Sequence, residues 1–467
     1  MSTSIQPPAA LPASGRERVL ALLKQHGWNA TSFQVLEPGY EYFFSGTDAC
    51  VAYVDTGGAW VAAGAPIAAS SDLQAVTDDF IAAARQAGRR ALFFATEPRF
   101  TSAVKLTSLC IGEQPVWDPA QWPQTLKESR SLREQLRRAR AKGVRVRLVA
   151  ATELEDPQAP IRHAIEGLVG RWLGTRQMAP MGFLVQLSLF SEAAERRCLV
   201  AEADGRLVGV LGMIPVYARG GWFCEDLLRD PTAPNGTIEL LVDAAMRLAG
   251  EGGSRYVTLG LAALSGRLPA PLRAARRWGS ALYDFEGLRA FKAKLRPQDW
   301  VPISLSYPTG QSGLLGVLDV LTAFARGGLL RFGIESLLRG PAVVVRLLAA
   351  LLLPWTLLLL LAPARYFPAP AVKWAWVGFD VLLAAALLRL TYAWQAGLAT
   401  LLAVLVSGDA AVTLVEALCY NMPRRQGYLD VLISMIAVAG PALSAFLLFR
   451  GRLHRRHKPD LAAARRA

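Results

Sequence analysis

Between Tyr40 and Ala95 the apolar positions fall into short blocks. Tyr40–Phe44, Cys50–Asp55 and Ala59–Ala63, separated by glycine-bearing turns, predict three strands. Leu73–Ala87 repeats its apolar residues at helical spacing, and the unbroken run Arg90–Ala95 predicts a buried strand. Ahead of these, Glu17–His26 is patterned as an amphipathic helix. From Leu126 to Lys142 the pattern predicts one strongly basic helix, stopped by Gly143. A second succession follows. Ile161–Thr175 predicts a helix, and Arg197–Ala203 and Leu207–Val216 predict a hairpin across Asp204-Gly205. Gly221–Leu228 predicts a strand, the stretch from Gly236 to Ala249 a helix, and Tyr256–Leu261 a further strand.

A hairpin, a strand, a polar loop, a helix and a strand is the element order of acyl-CoA-dependent N-acetyltransferase-like folds. Residues 16–150 and 151–305 both follow it, so the expected class is α/β, with two acetyltransferase-like (GNAT-like) units in tandem, the second catalytic. Residues 1–15 are Pro/Ala/Ser-rich, with no basic start leading into an apolar run, and predict a disordered tail rather than a signal peptide. Residues 313–338 are apolar with scattered arginines and suit an interfacial amphipathic element inside a linker at 306–340. Apolar stretches near 342–362, 374–392, 396–417 and 430–449 predict four membrane-spanning helices within 341–450. Residues 451–467 form a basic tail. An even number of spans with positive flanks predicts a bacterial inner-membrane protein whose α/β part and both termini face the cytoplasm.

Composition sharpens this picture. The chain has 467 residues, 52% apolar and 19% charged, which excludes a disordered chain and is poor in charge for a wholly soluble one. Lys+Arg exceeds Asp+Glu by 51 to 37, and the excess is local. Residues 126–147 hold nine Lys/Arg against two Asp/Glu, and the tail 450–467 holds seven against one. The first patch suits a polyanion, the second a cytoplasmic membrane flank. The five cysteines form no CxxC pair, and two of the four histidines lie in the tail. No zinc site, disulfide framework or histidine triad is written here, so no metal is expected. The chemistry must rest on carboxylates, arginine, lysine and backbone amides.

Three segments carry a family resemblance. Glu225-Asp-Leu-Leu-Arg-Asp-Pro-Thr-Ala-Pro-Asn-Gly236 resembles the signature of the C-terminal catalytic domain of phosphatidylglycerol lysyltransferases, the bacterial multiple peptide resistance factors. Thr258–Ser265 is similar to that family's LG-x-A-P-L segment, with Ala263 where proline is usual, and Leu282–Lys294 with Pro297 and Trp300 is similar to its closing motif. Gly64-Ala-Pro66 stands where the family often has Gly-Asp-Pro. The resemblance covers roughly residues 17–305. It implies transfer of an aminoacyl group from aminoacyl-tRNA, as co-substrate and without a cofactor, to a membrane lipid such as phosphatidylglycerol. By motif match Asp226 and Arg229 correspond to functional residues. Where the family's multi-span region precedes the catalytic domain, the predicted spans here follow it.

Transfer from an ester to a hydroxyl needs proton removal, an oxyanion stabiliser and exclusion of water. Asp226 could deprotonate the acceptor or hold the aminoacyl ammonium, and Arg229 could hold a phosphate. The plainer alternative is that the two simply pair across the strand end. Asn235, Gly236, Tyr283, Lys292 and Lys294 are candidate substrate contacts. For Asn235 and Gly236 the alternative is a helix cap, for Tyr283 a core position, and for the lysines a solvated edge. Arg133, Arg137, Arg138 and Lys142 are candidate tRNA contacts. Two rival functions remain: an acyl-CoA- or acyl-carrier-dependent N-acyltransferase, and a degenerate binding module.

Overall fold

The protein is described by a computed structural model covering residues 13–175, 181–266, 268–269, 272–273, 276–277, 284–325, 328, 332, 341–392 and 395–456. It divides into an α/β unit, which ends near Leu329, and a helical unit formed mainly by the chain beyond it.

The α/β unit is built on one sheet. Its strands are β1 (Glu41–Ser45), β2 (Ala49–Asp55), β3 (Ala59–Ala63), β4 (Arg90–Thr96), β5 (Thr107–Trp117), β6 (Arg145–Val149), β7 (Arg197–Ala203), β8 (Arg206–Val216), β9 (Gly221–Arg229), β10 (Val257–Thr258), β11 (Ala262–Ala263) and β12 (Asp299–Tyr307). The spatial order is β1-β2-β3-β4-β12-β5-β10-β9-β8-β7-β6, with β11 beside β5. Each half contains one parallel pair bridged by a helix, as parallel pairing requires. Helix Leu73–Gln86 joins β3 to β4, and helix Thr237–Glu251 joins β9 to β10. The last strands of the halves are exchanged: β5 pairs with β10, while β12 inserts between β4 and β5.

Helix Leu73–Gln86 turns Leu73, Val76, Phe80 and Ala84 inward, a helical-period stripe that packs on Phe93 of β4 and Tyr53 of β2. Helix Thr237–Glu251 buries Leu241, Ala245 and Met246 in a second core with Trp117 and Trp122. The basic segment differs from the single helix predicted. It forms helix Trp122–Glu128 and helix Arg130–Ala141, broken at Ser129, whose Oγ accepts from the Leu132 amide at 3.4 Å and caps the second helix. That helix buries Leu132, Leu136 and Ala139 in the second core and turns its arginines outward.

The helical unit holds Pro341–Leu361, Pro370–Tyr392, Ala396–Glu416 and Tyr428–Arg456. Among the described residues three helices, Pro370–Leu390, Gly397–Arg424 and Asp430–Phe449, are long and apolar enough to cross a membrane, and three of the four predicted spans fall on them. The remaining predicted span, near 342–362, falls on helix Pro341–Leu361. Inside this unit Leu383, Leu387, Leu402 and Leu448 pack together, and Trp376 donates to the Glu416 carboxylate at 3.2 Å.

Candidate functional site

The site is organised by an irregularity in β9. Against β8, the register steps from Gly212 opposite Asp226 to Met213 opposite Cys224, so Glu225 is the extra residue of a β-bulge. A bulge re-aims side chains that would otherwise alternate. Asp226 here lies within electrostatic reach of both Glu225 and Arg196.

Three other segments meet these residues. Gln34 and Glu37 come from the end of the 3₁₀-helix Ala30–Leu36, Arg196 directly precedes β7, and Ser188 and Ser191 lie in the loop before it. Arg196 is almost fully buried and fully engaged. Its Nη1 donates to Glu225 Oε2 at 2.9 Å and its Nη2 to Glu37 Oε1 at 3.2 Å. Its Nε donates to the Ser191 carbonyl at 2.7 Å, and Nη2 also reaches Ser191 Oγ at 3.3 Å. Gln34 Nε2 donates to the Leu184 carbonyl at 2.8 Å and to Glu225. Asp226 accepts from the Ser188 amide.

The charge does not balance. Three buried carboxyl groups face one guanidinium. Burial, followed by the neighbouring Glu225 charge, pushes the Glu37 carboxyl up to about 9. Glu225 is raised by burial, and Asp226 is held well above the carboxylate range by burial and then by Glu225. Four polar atoms here are buried without a partner among the described residues: Glu37 Oε2, Asp226 Oδ2, Gln34 Oε1 and the Tyr40 hydroxyl. Buried polar atoms are rarely left so. Gly212 packs closely against this wall: a Cβ there would come 2.9 Å from Leu189 and 3.8 Å from Asp226 Oδ2. The chamber thus has spare acceptor oxygens and one cation among three carboxyl groups, a balance that an ammonium group would redress.

This excess has a measurable cost in stability. Glu37 binds its proton more tightly folded than unfolded, so from about pH 4.5 to 9 the native state holds a proton the unfolded chain has released. Its contribution to stability is complete below the unfolded value and is lost as pH rises through the folded one. Each such group gives a slope of at most about 1.4 kcal/mol per pH unit. The melting temperature of the detergent-solubilised chain is expected to fall more between pH 6 and 8.5 than that of Glu37→Gln. Equal falls would remove Glu37 from the proton balance.

The other sequence-predicted residues do not join the chamber. Asp226 and Arg229 do not pair. Arg229 Nη2 instead donates to the Ala233 carbonyl at 2.8 Å and reaches Asn235 Oδ1 at 3.5 Å, bracing the loop after β9. Gly236 has φ +92° and starts helix Thr237–Glu251 with its backbone against Gln135 and Ala139 of the basic helix, where a Cβ would clash. Lys292 is not a solvated edge residue. Its buried ammonium donates to the carbonyls of Leu259 and Gly260 at 2.8 Å and of Leu261 at 3.0 Å, and burial lowers it to about 7. Lys294 bonds Gln135 at 2.7 Å and Glu239 at 3.0 Å, tying helix Phe285–Lys294 to two neighbours. Tyr283 lies outside the described residues. Arg133 folds back onto the Leu126 carbonyl at 2.6 Å and onto Lys127, closing the end of helix Trp122–Glu128. Arg137 and Arg138 share Glu134 yet stay 71% and 64% exposed, and Lys142 is exposed. No group of three His, Cys, Asp or Glu is placed to hold a metal among the described residues.

Glu37, Gln34, Tyr40 and Arg196 went unnoticed in the sequence. Glu225 stood within the quoted signature without a role, and being next to Asp226 on a predicted strand assigned it to the opposite face.

The α/β unit resembles solved structures of the same fold. A C-terminal DUF2156 domain from Agrobacterium fabrum superposes with a TM-score of 0.59 at 22% identity, over 68% of this chain and 98% of that one. The L-PGS from Bacillus licheniformis gives 0.56 at 22% identity, over 66% and 95%. Among curated proteins, the lysylphosphatidylglycerol biosynthesis bifunctional protein of Nocardia farcinica is 30% identical over 244 residues, 49% of this chain. The chain spans only 21% of that relative's length. Residues 20–307, more than half of the chain, match the family model described as phosphatidylglycerol lysyltransferase, C-terminal, and the chain belongs to that family.

Proposed function

We propose that this protein is a membrane-bound aminoacyltransferase that moves an aminoacyl group from aminoacyl-tRNA to a hydroxyl of a membrane lipid, phosphatidylglycerol being the favoured acceptor. The carrying observation is the chamber of Glu37, Glu225 and Asp226 around one arginine, with carboxylate oxygens buried and unpartnered. An aminoacyl ester differs from an ordinary acyl ester by its cationic ammonium. A buried site with surplus carboxylate and spare acceptors selects for that charge and disfavours a neutral acyl group.

The lipid hydroxyl oxygen attacks the ester carbonyl and loses its proton. The carbonyl re-forms as the ribose oxygen of the tRNA leaves and takes a proton up. Asp226, with one oxygen unpartnered among the described residues, is suited to hold the ammonium or, once ionised beside that charge, to accept the hydroxyl proton. No cofactor enters this reaction. Coenzyme A is the weaker donor. The loop after β9 is braced by Arg229 and carries two prolines, and the following helix start is backed by Gln135. The open amide cradle that a pyrophosphate uses is therefore missing there. A tRNA donor puts the α/β unit on the cytoplasmic side of the bacterial inner membrane.

The test uses the purified full chain, charged tRNA and phosphatidylglycerol liposomes, with lipid products read by mass spectrometry. An aminoacyl lipid supports the proposal. An N-acylated amine formed only with acyl-CoA would replace it.

The basic helix supplies the second expectation. Since Arg133 closes a helix end, Arg137, Arg138 and Lys142 are the side chains to reverse. The pairing of Arg137 and Arg138 with Glu134 is exposed and contributes little to stability. Changing all three to Glu is expected to weaken charged-tRNA binding by tenfold or more and to reduce its salt dependence, by about 0.7 in log–log slope per lost phosphate contact. An unchanged salt slope would make the helix an ordinary solvated surface.

A further inference from the structure

Helix Gly313–Phe324 lies beyond residue 307, where the family match ends, yet it is part of the α/β unit. Its polarity is inverted. The buried face carries Gly316, Asp319 and Val320, and the exposed face carries leucine: Leu314 is 72% exposed, and Leu315, Leu318 and Leu321 are 45–48% exposed. At about 100° per residue, Leu314, Leu318 and Leu321 form one stripe opposite Gly316 and Val320.

The inversion is held in place. Arg90 of β4 makes a two-pronged pair with Asp319, Nε to Oδ2 at 2.9 Å and Nη2 to Oδ1 at 2.8 Å. Gly316 sits close on Leu92, where a Cβ would come within 3.1 Å. The far end of the helix reaches toward the site. The Phe324 carbonyl accepts from the Gly182 amide at 2.9 Å, and the Phe324 ring meets Phe183 edge-on at 5.3 Å. Phe183 packs on Tyr40 at 5.8 Å, and the next residue, Leu184, accepts from Gln34 of the chamber.

We propose that helix Gly313–Phe324 is a bilayer-docking element: its leucine stripe lies in the interfacial layer of the membrane, and its Phe324 end places the chamber beside the lipid surface, from which the acceptor enters. This rests on the aminoacyltransferase reading for the acceptor, but the docking stands by itself. Two observations favour a bilayer over a protein partner. The tether from Ala325 to Pro341, where the helical unit with its candidate membrane helices begins, is at most about 55 Å long even when fully extended. That tether also carries Arg326, Arg331 and Arg339 against one acid, Glu335, a complement to anionic lipid.

The experiment places a nitroxide on Leu318→Cys, in a full chain with Cys110 and Cys419 replaced by alanine, reconstituted into phosphatidylglycerol-containing proteoliposomes. A control nitroxide goes on Ala82→Cys, exposed on helix Leu73–Gln86. Position 318 is expected to collide readily with oxygen and poorly with a water-soluble nickel chelate, and position 82 the reverse. Equal nickel access at both would overturn the proposal. So would shielding of 318 from both reagents with spin–spin broadening, which would mean that a second copy of the chain covers the face. Catalysis is read separately. Leu314, Leu318 and Leu321 changed together to Gln are expected to lower transfer to bilayer phosphatidylglycerol about tenfold or more, leaving transfer to a short-chain soluble analogue unchanged. Unchanged transfer to the bilayer lipid would also overturn the docking role. A chain that acylates neither acceptor would fail as an aminoacyltransferase, while the nitroxide result would still decide docking.

Discussion

Replacing Arg196 with Met is expected to destabilise the α/β unit by about 3–5 kcal/mol at neutral pH, the cost of leaving a buried charge without its partner. Arg196 is the cation for Glu37 and Glu225, and its Nε also satisfies the Ser191 carbonyl. Methionine fills much of the same space, so the loss reports charge more than volume. The defect is expected to shrink toward pH 5, because burial holds these carboxyl groups toward their protonated forms and keeping the protons costs less as pH falls toward the unfolded value. Lysine should rescue only in part, because one ammonium cannot reproduce four donations from a planar fork. Thermal unfolding of wild type, Met and Lys variants at pH 5 and 8 would test this. A shift below about 1 kcal/mol at both pH values would mean that the carboxyl groups stay neutral without help.

Asp226→Asn is expected to separate chemistry from architecture. The two side chains have nearly the same shape, and Asp226 Oδ2 has no partner to lose. Stability should hold or rise, because a neutral amide does not carry the burial cost that raises the Asp226 carboxyl. Turnover should drop by roughly a hundredfold or more, the scale of a lost general base. If Asp226 instead only holds the ammonium, the loss should appear mainly as weaker binding of charged tRNA, with turnover at saturation nearly kept. Wild-type kinetics in the variant would remove Asp226 from the site.

The sequence and the structure agree where local pattern decides. β3 and β7 begin and end where the apolar blocks do, and the Asp204-Gly205 turn joins β7 to β8. They part where long-range pairing decides. β5 and β12 were not visible as strands: β5 contains Gly112 and Pro115, β12 contains Pro302, and neither alternates cleanly. Their fit comes from partners in the other half of the chain. The chamber was half legible. The signature around Asp226 located one wall, but Gln34, Glu37 and Arg196 come from segments far apart in sequence. The bulge that makes neighbours of Glu225 and Asp226 leaves no mark in composition. The burial of Lys292 is illegible for a similar reason, since its three carbonyl partners belong to a bend that only the folded chain forms.

The exchange of β5 and β12 also sets an order of assembly. β4 cannot cover its free edge until β12 arrives, and Thr96 pairs with Ser304 across most of the α/β unit's sequence. β5 likewise waits for both β10 and β12. As the chain leaves the ribosome, the first half can form its hairpins and its helix but must hold an open sheet edge until residue 307 has been made. Closing so long a loop is slow, and an open edge invites pairing with other chains. Chains truncated before Asp299 should therefore aggregate rather than yield a stable first half, and the nascent protein is most exposed to misassembly just before its membrane-docking helix is synthesised.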